Sequence, residues 1–243
     1  MIPKKLENAP ILLSAVSIKF ETDLPSQAIF GIFYQAIKES FGNFQSNPLP
    51  ILNIPIEIRE QDENLKFAPE YILINNDKRY TIQIGGRNVA LVYDRAYGYE
   101  YPGWNNYLKQ EAEKLVDCIF KMGIIKTISI EYQNIDFFED DIFDKINITI
   151  NDPIQCSLSQ ISCTKESDSI VHHIAINNKG RVVIQNNQKV GSIIDIKTLN
   201  KDTKIDKKDV IDVLDAMHNE NKELFFKIIK KEYIDAKFKP EYQ

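Results

Sequence analysis

Apolar residues recur in this chain with two periods, and the order of those periods constrains the fold more than any motif does. Val16, Ile18 and Phe20 alternate with Ser17 and Lys19 across 11–21, the pattern of a half-buried strand. Ala28, Ile29, Ile32, Phe33, Ala36 and Ile37 then fall at helical spacing, behind Asp23 as N-cap and Pro25 in the first turn, and ahead of Gly42 as a left-handed C-cap. A meander of strands is expected next, at 52–58, 71–74, 80–84 and 89–93, with hairpin connections at 76–78 and 85–88. A second helix is expected over 102–121, with Trp104, Leu108, Ala112, Leu115, Val116 and Ile119 on its buried stripe. The remainder repeats that logic. Strands are expected at 127–138, 145–150, 155–163, 170–176, 182–185 and 193–198, with turns at 177–180 and 186–188. A long helix follows over 206–236, with a break around 219–221.

Runs of strands closed by helices, without regular strand–helix alternation, exclude a doubly wound parallel sheet. The expected class is α+β: antiparallel sheet built as two related β-rich halves, with helices packed on it. The chain has 243 residues, within reach of a single core. It is read as one domain over 1–243 with pseudo-repeated halves 11–123 and 127–238.

Composition narrows the function classes. The chain is 43% hydrophobic and 27% charged, as a folded globular protein is, and no apolar run approaches membrane-helix length. The first ten residues hold Lys4 and Lys5 with no apolar stretch behind them, so no secretion signal is expected. Cys118, Cys156 and Cys163 are odd in number and lack metal-ligand spacing, which suits reduced thiols in a cytoplasm. A net charge of −5 repels a phosphate backbone at long range and leaves room only for a weak, local nucleic-acid contact.

No segment carries a catalytic signature. His172 and His173 cannot share one side of a strand, and no paired histidines or cysteines stand at ligand spacing. Cys163 and His172 flank the 165–169 turn and could face each other across a hairpin, though a cysteine in a strand is more often mere packing. The acidic run Asp136, Glu139, Asp140, Asp141 and Asp144 lacks the glycine and spacing of a calcium loop. Gly85-Gly86 sits between strands, where a turn outranks a phosphate cradle. Neither metal nor cofactor is expected.

Three clusters merit weighing. Tyr97, Tyr99 and Tyr101 precede Trp104, with Gly98 and Gly103 between them; such rings suit partner recognition when exposed and staple a helix when buried. Trp104 is expected to staple and Tyr99 to recognise. Tyr132 and Asn134 share the inward parity of their strand, so Asn134 must find partners: backbone at a sheet irregularity, the commoner case, or Asp195 or His218 in a polar site. Lys227, Lys230 and Lys231 share a helix face that could meet phosphates, although a solvated face is the commoner role.

The order of features also resembles a sporadically distributed, functionally uncharacterised family of prokaryotic proteins about this long. Leu6-Glu7-Asn8-Ala9-Pro10 is similar to its opening Ala-Pro motif, and Tyr101-Pro102-Gly103-Trp104 to its Tyr-x-Gly-Trp helix start. Tyr132-Gln133-Asn134 is similar to its Tyr-x-Asn strand, Ile193-Ile194-Asp195-Ile196 to its late Asp-containing strand, and Met217-His218 to its Leu-His helix. Glu131 stands where that family usually has arginine, and Lys197 where its second late acid would be. The resemblance implies a fold type and a prokaryotic origin, and brings no activity with it. Sporadic distribution is usual for accessory genes of defence, mobile-element or toxin–antitoxin loci.

The leading expectation is thus a non-catalytic cytoplasmic binding or regulatory protein that engages another protein, with no membrane contact. The second is an enzyme with a site around Asn134, Asp195 and His218. The third is a weak nucleic-acid binder acting through the C-terminal lysines. No oligomeric state follows from the sequence.

Overall fold

A computed structural model describes residues 2–75, 79–95, 101, 103–123, 126–147, 160–167, 169–184, 186–201 and 205–242. Its centre is one antiparallel sheet of nine strands. In chain order these are β2 (Ile11–Glu21), β3 (Gln45–Pro48), β4 (Tyr71–Ile74), β5 (Thr81–Ile84), β6 (Asn88–Asp94), β7 (Lys126–Phe138), β8 (Gln160–Glu166), β9 (Ile170–Ile184) and β10 (Asn187–Asn200). In space the order is β3-β4-β5-β6-β2-β7-β10-β9-β8, so β2 and β7 are neighbours at the middle. Short strands β1 (Lys5–Leu6) and β11 (Pro240–Glu241) pair antiparallel and tie the two ends of the chain together. The fold is α+β, with the antiparallel sheet and packed helices that the periodicity calls for.

The helices are α1 (Ser26–Phe41), α2 (Ile56–Gln61), α3 (Glu63–Lys66), α4 (Lys109–Lys121), α5 (Val210–Ile228) and α6 (Lys231–Phe238). Two buried clusters form between helices and sheet. In the first, Ile29, Phe33 and Ile37 of α1 and Leu115 and Ile119 of α4 meet Val16, Ile18 and Phe20 of β2 and Leu91 of β6. In the second, Leu224, Phe225 and Ile228 of α5 and Tyr233 and Phe238 of α6 meet Phe138, Ile174, Ile194 and Ile196. Helix α5 serves both, since its first turns place Val210, Leu214 and Met217 in the first cluster. Among the described residues no helix is long and apolar enough to cross a membrane.

Several local expectations need correction. Residues 52–58 are not a strand: Pro50–Asn53 is a 3-10 turn, and α2 starts directly after Pro55. Three nearby prolines remove ladder donors, and alternating isoleucines over so short a stretch serve a surface helix equally well. Pro25, not Asp23, occupies the N-cap position of α1. Residues 177–180 are no turn, because β9 runs straight through them. Gly180 and Gly191 face each other at an irregularity of the β9–β10 ladder. A Cβ on Gly191 would fall 2.1 Å from the Phe138 carbonyl oxygen, and one on Gly180 would fall 2.6 Å from Ile193 Cδ1. These glycines mark a close approach rather than a chain reversal. At 145–150 only Ile146 is seen to pair, in an isolated bridge to Ile229, and 148–150 lie outside the described residues. That bridge ends the long helix at Ile229, with Lys230 N–H donating to the Lys145 carbonyl, whereas 219–221 remain helical.

Candidate functional site

A stripe of polar side chains separates the two apolar clusters. It crosses the sheet at Ser14 of β2, Asn134 and Asp136 of β7, Thr198 of β10 and His172 of β9. Helix α5 lays Asn221 and His218 over it. Each position follows from parity: Ser14, Asn134, Thr198 and His172 lie on the same face as the apolar residues two places away, so all are drawn inward.

The hydrogen bonds along the stripe run in one direction. His218 Nδ1 lies 2.9 Å from the Tyr132 hydroxyl, which donates to Asn134 Oδ1 at 3.2 Å. Asn134 Nδ2 donates to Asn221 Oδ1 at 3.3 Å, and Asn221 Nδ2 donates to the Ile196 carbonyl and to Thr198 Oγ1 at 2.8 and 3.0 Å. Thr198 Oγ1 lies 3.0 Å from His172 Nδ1, and His172 Nε2 lies 3.2 Å from Glu220 Oε2. With Tyr132 donating onward, His218 supplies its Nδ1 proton to the tyrosine oxygen. Thr198, having accepted from Asn221, gives its own proton to His172. Accepting at Nδ1 makes His172 a neutral imidazole, and the single proton His218 needs, on Nδ1, is one the neutral ring also carries. Burial favours that form: it lowers the pKa of His172 and pushes that of His218 down to about 4.

Trp104 closes the stripe from the α4 side. It follows Gly103, held at φ +85°, and opens a π-helical stretch (Trp104–Leu108) leading into α4. Its ring stacks on His218 with centroids 4.9 Å apart and meets Tyr132 edge-on at 5.4 Å. Its indole N–H donates to Asp215 Oδ1 at 2.6 Å, and Lys109 forms an ion pair with the same carboxylate. The ring is 4% exposed. Tyr101 packs edge-on against Tyr93 at 5.2 Å, and burial together with the nearby Tyr132 raises its hydroxyl pKa well above the ordinary value. Tyr97 and Tyr99 lie outside the described residues.

Asp136 differs from its neighbours. It is 3% exposed, and among the described residues its carboxyl forms no hydrogen bond or ion pair. Burial, with the Asp195 charge nearby, pushes its pKa up to about 8.

The structure joins two of the three residues expected to form a polar site and excludes the third. Asn134 and His218 both bond to Tyr132. Asp195 stands on the other face of β10, where it accepts from Gln133 Nε2 at 2.9 and 3.0 Å. Ile194 and Ile196 take the inward positions on either side of it, so the parity argument could have placed Asp195 outward. Asn221, fully buried, was hidden by reading 219–221 as a break. Its signal was a polar residue in register with the apolar stripe of Met217, Leu224 and Phe225.

Little in this stripe can do chemistry. Ser14 Oγ has the Tyr132 hydroxyl at 3.3 Å, and burial raises the tyrosine pKa, so no base activates the serine. Cys163 does not meet His172: the ladder sets Cys163 across from Ile174 and Lys165 across from His172, and Cys163 is exposed. Cys118 is buried, which raises its thiol pKa, and Cys156 lies outside the described residues. The acids after β7 are each engaged: Glu139 with Lys189, Asp140 with Lys237 and the Tyr233 hydroxyl, Asp144 with Lys145, and Asp141 with the Phe143 N–H. Among the described residues no group of histidine, cysteine and carboxylate side chains could hold a metal ion.

The C-terminal lysines are engaged as well. Lys227 pairs with Glu223 at 3.2 Å, Lys231 with Asp235 at 2.5 Å, and Lys230 donates to the Asp144 carbonyl at 2.8 Å. The face is solvated and its charge is locally balanced.

A second feature lies at the far end of the sheet. β7 pairs with β10 only from Ser192 onward, and β8 pairs with β9 only as far as Asn177. Among the described residues, Gly180–Ile184 and Asn187–Gly191 therefore pair only with each other, as a ribbon that turns at Asn186 with φ +62°. Arg181 lies across from Val190 and Val183 across from Gln188, so the four share one face. Val183 and Val190 are 58% and 57% exposed. Lys189 reaches back to Glu139 at 2.6 Å. The end of β6 points the same way, since Arg95 contributes to the field at Glu139.

The chain matches no protein-family model and no curated protein sequence.

Proposed function

We propose that the protein is a non-catalytic binding protein, cytoplasmic and regulatory in role, that engages a macromolecular partner at the end of the sheet carrying the β9–β10 ribbon. The ribbon is the observation that carries this reading. Large exposed apolar side chains cost solubility and are favoured where a partner covers them. Two sit diagonally on one ribbon face, flanked by Arg181 and Gln188. The polar groups of the stripe other than Asp136, in contrast, bond to one another, and they offer a substrate no nucleophile with its base. Tyr99 lies four positions past Arg95 in sequence and is the companion candidate for partner contact.

The test compares partner recovery by tagged protein in the cells that encode it. Val183→Asp with Val190→Asp should preserve the melting temperature and lower recovery of a stoichiometric partner by tenfold or more, about 1.4 kcal/mol. Tyr99→Ala should weaken it by about 2 kcal/mol, the rough threshold of a hot spot. Full recovery by both folded variants sinks the proposal.

A further inference from the structure

We infer that the β9–β10 ribbon is a contact for duplex DNA. The inference rests on the reading above only in taking the ribbon as the docking element, and it names the partner's chemistry.

Charge is the first argument. The chain carries −5 overall, yet segment 177–190 holds Lys179, Arg181 and Lys189 and no aspartate or glutamate. Its remaining residues are asparagine, glutamine, glycine, valine and isoleucine. Lys179 and Arg181 are exposed, and among the described residues neither forms an ion pair. Both can neutralise phosphates, while Lys189 is held by Glu139. Side-chain type is the second. Arginine reads guanine, asparagine and glutamine read adenine, and an apolar side chain meets the thymine methyl. With Arg181 given to a phosphate, Gln188, Val183 and Val190 supply the adenine and thymine part of that set on the same exposed face.

Shape is the third argument and decides between duplexes. A two-stranded ribbon fits the major groove of B-DNA, about 12 Å wide. The deep, narrow major groove of A-form RNA does not admit it. Five residue pairs, from Gly180↔Gly191 to Asn187↔Ile184, give the ribbon a reach of about 17 Å at the usual strand rise. The acids at its base, Glu139 to Asp144, are mostly paired, but they keep further phosphates away and confine the contact to the ribbon. The contact is therefore weak, and its salt dependence shallow.

The experiment is fluorescence anisotropy of a labelled duplex of about 20 base pairs with the full chain, over about 50 to 200 mM salt. Neutralisation of two phosphates predicts a slope of log affinity against log salt of about −2. Arg181→Ala should bring the slope to about −1, and so should Lys179→Asn, asparagine being suited to the left-handed backbone at Lys179, φ +62°. Duplex RNA of the same sequence should bind at least tenfold more weakly. Changing Lys227, Lys230 and Lys231 to glutamate should leave the slope unaltered. The inference is overturned by no binding at the lowest salt, by a slope indifferent to Arg181→Ala and Lys179→Asn in folded protein, or by equal affinity for duplex RNA. If the two valine changes abolish partner capture while DNA fails to bind, the binding-protein reading stands and the DNA inference falls.

Discussion

Polar side chains gather in two places, and the two differ in what meets them. In the stripe under α5 nearly every donor finds an acceptor: Tyr132, Asn134, Asn221, Thr198 and His172 form one directed chain. On the β9–β10 ribbon the polar tips of Lys179, Arg181 and Gln188 stand exposed beside two exposed valines. The first arrangement fixes position, because α5 can lie on the sheet only where Asn221 meets both the Ile196 carbonyl and Asn134. The second fixes nothing within the chain. Partner binding is therefore sought at the ribbon and stability at the stripe. Substitutions should divide accordingly, large in stability at one and near zero at the other.

The largest expected effect is at Trp104. Its indole is buried, bonded to Asp215 and stacked on His218. Trp104→Ala should cost about 3–5 kcal/mol in denaturant unfolding, as deletion of a buried aromatic does. A loss below about 1 kcal/mol would mean that the stripe is not what holds α4 to α5.

Asp136 should act in the opposite direction. In the folded chain its pKa stands at about 8, against 3.8 ordinarily. Between those values the folded state keeps a proton that the unfolded state releases, so stability falls as pH rises from 3.8 toward 8. At pH 7 the cost is on the order of 4 kcal/mol at 1.36 kcal/mol per unit. Asp136→Asn should recover most of it at pH 7 and almost none near pH 4. Equal gains at both values would show that charge is not the cause.

His218 should give a smaller effect with the reverse pH sense. Its folded pKa of about 4 lies below the ordinary 6.5. The unfolded chain takes up the proton first, so stability is lost as pH falls from 6.5 toward 4, by about 3 kcal/mol in total. Because Asp136 gains over much of that window, the two oppose each other in the wild type. The difference between wild type and His218→Gln isolates the histidine. A difference constant from pH 7 to pH 4 would contradict the neutral, buried imidazole.

The contrast between stripe and ribbon was only partly legible in the sequence. Period-2 and helical spacing located β2, α1, β6, α4, β7 and most of α5, because each buries one face against a single neighbour. The ribbon was obscured because Asn177 to Gly180 carry turn residues. In the fold Gly180 serves a close approach to Ile193, which depends on partners distant in sequence. Of the stripe, parity revealed Asn134 and the alternation around Asp195 could have excluded that residue. The directed chain to Glu220 required knowing which strands are neighbours, and no local pattern encodes the order β2-β7-β10-β9.

The smallest stability effect belongs to the ribbon, and it tests the comparison most sharply. Arg181 and Gln188 lie on the exposed face, across from Val190 and Val183, in a ladder from whose other face Lys189 reaches back to Glu139. Exposed positions of this kind usually shift stability by no more than about 0.5 kcal/mol. Arg181→Ala with Gln188→Ala should therefore unfold at the wild-type denaturant midpoint. If instead the pair costs more than about 1.5 kcal/mol, the ribbon packs on the body of the protein, and its exposed face is not available to a partner. The Lys189–Glu139 contact separates the cases further. An exposed ion pair is worth at most about 1 kcal/mol, so Lys189→Ala should also be nearly silent in unfolding. It should nonetheless loosen the ribbon at its base. Hydrogen exchange at the amides of Val182 and Ile184 should then quicken while those of Ile194 and Ile196 keep their protection. Uniform protection across both groups in the Lys189→Ala protein would show the ribbon to be as fixed as the sheet, and the distinction between the two regions would then rest on exposure alone.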